Sequence, residues 1–213
     1  MLFNAQQDVY GVPYSSWLTV PNDGAFAPGS ANFSIQWFQR MTNAQPFPRI
    51  FSINNDEFAM SMETNDNIRH ITLYLNGQPY DLAFIPNDPL INAWIFFTMT
   101  RISNTFSLYL NGLLVGSITP PAYALSNGTS QLFIGQKADL DGLTEGYDGN
   151  LVEFHWYAGI ASPVVPLAPI IPTIYSHLLL LASTSGAAYK DSGIYNKQVQ
   201  SFGMSWVSDN PFI

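Results

Sequence analysis

The feature that most limits what this chain can fold into is the shortness of its apolar runs. Between residues 16 and 157 the sequence is cut every few positions by Gly, Pro, Asn or Asp, and the pieces between are rich in β-branched and aromatic residues. In Phe33-Ser34-Ile35-Gln36-Trp37-Phe38-Gln39 the residues Phe33, Ile35 and Trp37 fall on one face, and Ser34 and Gln36 on the other. A two-residue period of this kind belongs to a half-buried strand. No long stretch keeps the 3.6-residue period of an amphipathic helix. Strands are therefore expected at 16–20, 32–39, 49–53, 57–63, 69–75, 93–101, 105–110, 113–118, 131–135 and 151–157.

Two of these end on one string, Leu73-Tyr74-Leu75-Asn76-Gly77 and Leu108-Tyr109-Leu110-Asn111-Gly112. Asn-Gly supplies the consecutive positive φ angles of a type I′ turn, so each string reads as a strand entering a hairpin. Residues 113–118 form the plain return strand of the second. The predicted fold is all-β, a two-sheet antiparallel sandwich, and 213 residues suit one such unit with a tail. With no cysteine in the chain, disulfides and thiolate metal sites are excluded and the core must hold the fold alone.

The order of these segments carries a resemblance. Tyr14-Ser15-Ser16-Trp17-Leu18-Thr19-Val20-Pro21, Phe33 to Phe38, Trp94-Ile95-Phe96-Phe97-Thr98-Met99-Thr100-Arg101, Phe106 to Gly112, Leu132-Phe133-Ile134-Gly135 and Tyr147 to Phe154 follow one another in turn. That succession resembles the laminin-G-like jelly rolls of the concanavalin A-like lectin and glucanase superfamily. The resemblance implies two curved sheets packed face to face, used for glycan binding, adhesion or, in some branches, sugar hydrolysis. Residues 1–160 would form this sandwich, residues 161–176 a Pro-rich arm, and residues 177–213 a segment that completes the sandwich or pairs with a neighbour. His177 to Ala182 and Val199 to Gly203 resemble the opening strand of such a domain, displaced to the end of the chain. In the arm, prolines recur every third residue at Pro163, Pro166, Pro169 and Pro172. That spacing favours a polyproline II rod, either a stiff linker or a docking element, and it excludes a membrane-spanning helix.

Charge narrows the partners. Seven Lys and Arg against fifteen Asp and Glu give a net charge of -8, with no basic cluster, so nucleic acid is not expected as a partner. Charged residues are only 10% of the chain, against roughly 25% in an average soluble protein. Outer faces that are polar but uncharged suit a surface partly covered by other subunits. The expected role is thus structural, and the resemblance to laminin-G-like jelly rolls, which occur in structural proteins of large DNA viruses and phages, implies a virion or similar particle, with a lectin-like glycan-binding module as the alternative. The first residues lack the basic and apolar regions of a secretory signal.

Chemistry-bearing groups are sparse. The closely spaced Glu-x-Asp-x-x-Glu string of the superfamily's hydrolases is absent. Glu57 and Glu63 lie about 20 Å apart along one strand, too far for a glycosidase pair. Glu153 and His155 share a strand face, which reads as a polar sheet edge or as an acid/base pair. No enzymatic activity is expected. For metal, Asp139, Asp141, Glu145 and Asp148 fall in one Gly-rich loop dense in hard oxygen donors, and calcium is the cation such a set would suit. No other cofactor is indicated. Trp17, Trp37, Trp94, Trp156 and Trp206 are candidate sugar platforms, most of them at core-facing positions.

Overall fold

The computed structural model describes residues 2–3, 6–7, 13–14, 16–21, 26, 29–41, 48–54, 56–86, 91–124, 131–137, 146–147, 149–159, 161, 176–180, 191–193 and 195–202. The strands in chain order are β1 (Leu2–Phe3), β2 (Gln6–Gln7), β3 (Pro13–Tyr14), β4 (Trp17–Val20), β5 (Phe33–Met41), β6 (Arg49–Ile53), β7 (Phe58–Asn65) and β8 (Ile68–Leu75). They continue as β9 (Gln78–Pro86), β10 (Ile95–Ile102), β11 (Thr105–Leu110), β12 (Leu113–Ile118), β13 (Leu132–Ile134), β14 (Gly149–Ala158), β15 (Ser176–Leu180) and β16 (Gln200–Phe202). Among the described residues no helix is long and apolar enough to cross a membrane.

Two antiparallel sheets form a sandwich. The first runs β1-β14-β5-β10-β11-β12, with β15 also on β14, and the second runs β16-β4-β13-β6-β7-β8-β9. The inward faces follow the alternation read from the sequence. Phe33, Ile35 and Trp37 of β5, Phe97 and Met99 of β10 and Phe154 and Trp156 of β14 meet Leu18, Phe51, Phe58, Met60, Ile71 and Leu73 of the opposing sheet. Rings interlock across the two layers: Phe33 and Phe58 at 5.6 Å, Phe58 and Trp156 at 5.8 Å, Phe51 and Trp156 at 6.0 Å, all edge to face. Such pairs add about 0.5–1.5 kcal/mol each beyond the apolar area they bury.

Both Asn-Gly turns have the expected backbone, φ 55° and 71° at Asn76 and Gly77 and 49° and 82° at Asn111 and Gly112. A third turn of the same sign pattern, Asp66 and Asn67 at 50° and 62°, joins β7 to β8 without any glycine. The strand returning from Gly77, β9, was not expected from the sequence, because Pro79, Asp81 and Pro86 interrupt its alternation. It stands at a sheet edge, where prolines cost no ladder bond.

Edge strands β9 and β12 approach each other, and the contact depends on Gly116: a methyl group there would run into the Leu82 carbonyl. Within the last third of the chain, β15 pairs with β14 and β16 pairs with β4, stacking Phe202 on Trp17 at 4.9 Å. Of the Pro-rich arm, only residues 161 and 176 lie among those described.

Candidate functional site

The site begins with a strand that carries a cation where its alternation calls for an apolar residue. On β10, Phe97 and Met99 point into the core, and Arg101 shares their parity, so its stem leaves the end of the core beneath the β10–β11 hairpin. The side chain is buried, with 1% of its surface exposed. Its guanidinium lies 5.3 Å over the Phe106 ring. Nε donates to the Ser103 carbonyl at 3.0 Å and Nη1 to the Gly29 carbonyl at 2.6 Å, while Nη2 donates to the Tyr123 carbonyl. Three chain segments are thereby fastened to one head group. Ser103, at φ 56°, donates its N–H to Asn32 Oδ1 at 2.8 Å, and Asn104 Nδ2 donates to the Pro120 carbonyl.

These segments enclose an open pocket of about 410 Å³ lined by Ser30, Arg101, Ser103, Asn104, Ala122, Tyr123 and Ala124. Ser30, Ser103, Ala122 and Ala124 are exposed, so they form the mouth, and Arg101 forms the floor. Tyr123 ties the pocket to the second sheet by donating its hydroxyl to the Glu57 carbonyl at 2.7 Å. Burial, reinforced by the charge of Glu57, raises its pKa well above the usual tyrosine value. Burial also lowers the pKa of Arg101, with Tyr123 acting in the opposite direction. An arginine nonetheless keeps its charge in a protein. No acidic side chain among the described residues pairs with it. The pocket thus offers hydroxyls, an amide and one buried cation. The rest of its lining is largely apolar.

The outer face of the first sheet also carries oxygen and nitrogen groups, in two cross-strand rows. One runs Tyr109, Thr98, Gln36, His155 and the other Ser107, Thr100, Ser34, Tyr157. Ser34, Gln36, Thr98, Thr100 and His155 are buried, which closes the middle of this face to a ligand. Glu153 sits at φ 53° in a bulge of β14, and its Oε2 lies 2.9 Å from His155 Nε2. The other ring nitrogen faces the Tyr157 hydroxyl at 3.3 Å. Burial, then the charge of Glu153, pushes the Tyr157 pKa up to about 12. The sequence placed Glu153 and His155 together and the structure joins them, in a position no substrate reaches.

The other sequence candidates scatter. Glu57 Oε2 accepts from Asn54 Nδ2 at 2.7 Å, whereas Glu63 Oε1 accepts from Ser61 and Tyr74, both at 3.2 Å. Trp37 and Trp156 fill the core, Trp17 is stacked under Phe202, and Trp94 lies 6.0 Å from the Arg40 guanidinium. Trp206, and the candidate calcium ligands Asp139, Asp141, Glu145 and Asp148, lie outside the described residues. Arg101 was missed because it belongs to no motif. Its signal was a charge at an inward parity position, in a chain with only seven Lys and Arg.

With this geometry in hand, the chain was compared with known proteins. The family model described as the concanavalin A-like lectin/glucanases superfamily matches residues 13–163. A search of curated proteins gives no match. Among solved structures, a protein assigned to carbohydrate binding from Bacteroides ovatus superposes with a TM-score of 0.65 at 11% identity, covering 98% of this chain and 61% of the other. A native heptameric SAP-like pentraxin from Limulus polyphemus gives 0.55 at 15% identity, covering 73% of each chain. Domain 4 of an extracellular arabinanase from Geobacillus stearothermophilus, solved with arabinotriose, gives 0.54 at 14% identity over 76% of this chain and 78% of that one. At these identities the likeness is one of fold.

Proposed function

Because the chain belongs to the concanavalin A-like lectin/glucanases superfamily, we propose that it is a non-catalytic, lectin-like module that binds carbohydrate at the loop-lined end of its sandwich. The observation that carries this reading is the pocket above Arg101: concave, largely apolar with a few polar groups from Ser30, Ser103 and Asn104, and fastened to the sandwich by Arg101 and Tyr123. A saccharide needs such a set of fixed polar groups, since each hydroxyl stripped of water must find a partner. The sheet face that could otherwise serve is closed at its centre. Two of the structural neighbours, one assigned to carbohydrate binding and one solved with arabinotriose, support a ligand of this class. Catalysis would need a carboxylate pair facing one ligand, and Glu57 and Glu63 face separate partners.

The test is a glycan array read with the wild-type protein and with Ala122→Trp and Ala124→Trp, which fill the pocket from exposed positions. Wild type is expected to retain a defined subset of glycans and both variants to lose it by more than tenfold. Retention of no glycan, or equal retention by blocked variants, overturns the reading.

One observation favours a second reading, assembly through a particle subunit. Strand β12 ends its sheet, and ahead of the close contact of Gly116 with β9 its residues Leu113, Leu114 and Val115 are 74, 58 and 37% exposed. Exposed apolar side chains grouped at a sheet edge suit contact with a second copy of the chain. Light scattering after size exclusion checks it: the wild type should run as a dimer or larger and Leu114→Lys as a monomer. A monomeric wild type removes this reading.

A further inference from the structure

Resting on the carbohydrate reading, we propose that the pocket selects saccharides bearing a carboxylate, with Arg101 as the group that reads the charge. The argument starts from an imbalance. A guanidinium removed from water is costly unless a counter-charge and a full set of acceptors replace the lost hydration. Among the described residues Arg101 has acceptors but no counter-charge: its three partners there are the carbonyls of Ser103, Gly29 and Tyr123. Carbonyl dipoles offset part of a positive charge and leave a net positive field at the head group. A guanidinium also has five N–H donors in a planar fork, and three bonds leave two of them unengaged.

Where that residual charge can act is set by the pocket. Arg101 is its floor, and every other described lining residue is neutral: Ser30, Ser103, Asn104, Ala122, Tyr123 and Ala124. No described lining residue competes for an anion, and the Phe106 ring against the guanidinium keeps water from that side of the charge. Meanwhile the chain as a whole is acidic, with a net charge of -8, so a general attraction for anions is excluded and selection must be local. The chemistry that completes this site is a carboxylate on a polyhydroxylated frame. Its charge would lie over the buried Arg101 and meet its field, without direct contact to the guanidinium, while its hydroxyls meet Ser30, Ser103 and Asn104.

The experiment pairs each neutral oligosaccharide with its uronate-bearing or sialate-bearing counterpart and measures both by calorimetry against wild type, Ala122→Glu and Ala124→Glu. The two variants put a carboxylate at an exposed position of the mouth and leave Arg101 and the fold untouched. The acidic member of the best pair should bind at least tenfold more tightly to wild type. Each glutamate variant should weaken it at least tenfold relative to the matching glutamine variant, Ala122→Gln or Ala124→Gln, which fills the same space without charge, while the neutral member differs less than threefold between the two. Equal binding of both members, or equal loss of both on adding glutamate, overturns the charge-reading role and leaves the carbohydrate reading standing. If no member of any pair binds, the carbohydrate reading falls and this inference with it.

Discussion

Two buried arginines of this sandwich are satisfied in opposite ways. Arg49, on β6, faces outward from the second sheet and is answered by side chains. Its Nη2 meets Asp56 Oδ2 at 2.8 Å, Asp56 Oδ1 accepts from Ser52 at 2.9 Å, and the Tyr74 ring lies 4.3 Å from its head group. Tyr74 in turn donates to Glu63, which also holds Ser61. Arg101, at the end of β10, is answered by main-chain carbonyls from three loops. The first arrangement closes its charge inside a network and has none left to offer. The second spends its hydrogen bonds on holding loops together and leaves a positive field facing a pocket. One cation is therefore answered by an opposite charge, and the other holds loops together with no acidic side chain among the described residues beside it.

The largest effect should come from breaking the closed network. Asp56→Asn keeps a residue that tolerates φ 62° and can still accept from Ser52, but it removes the only carboxylate in direct contact with Arg49 among the described residues. Losing one partner of a buried ion pair leaves the other uncompensated, and a loss of about 3 kcal/mol in urea unfolding is expected. Adding Arg49→Met to Asp56→Asn should recover a substantial part of it, because an apolar side chain in that place has no charge to strand. A loss under about 1 kcal/mol for Asp56→Asn would mean that water reaches Arg49, and the contrast between the two arginines would lose its basis.

How much of the molecule was legible in the sequence follows from what holds each part in place. Strands with unbroken alternation, such as β5, β10 and β11, were readable because burial on one face enforces a two-residue period. The Asn-Gly turns were readable because few residues accept two positive φ angles in succession. Strand β9 was not, since an edge strand can carry Pro79 and Pro86 and so lose its pattern. The Asp66-Asn67 turn uses the same backbone with weaker residues and leaves a weaker signal. The pocket was invisible for a different reason. Its lining comes from Ser30, from the β10–β11 hairpin and from residues 122–124, which are remote in sequence and meet only through carbonyls that any residue could supply. Only Arg101 itself could have drawn notice. The acidic loop, conspicuous for its carboxylates, drew attention by composition alone.

The smaller effect should come from Arg101. Arg101→Met keeps the length of the stem over Phe106 but strands the carbonyls of Ser103, Gly29 and Tyr123. These sit at the rim of an open pocket, where water can replace the lost donors, so about 1–2 kcal/mol of stability should go. No opposite charge is left unpaired, which is why the loss stays below that of Asp56→Asn. Arg101→Lys sharpens the distinction, since it restores a cation without the fork that ties three loops. It should remain nearly as destabilised as Arg101→Met while regaining part of the preference for an acidic saccharide. Should Arg101→Met instead cost as much as Asp56→Asn, the carbonyls must be sealed from water, and the charge at the floor would be closed like that of Arg49.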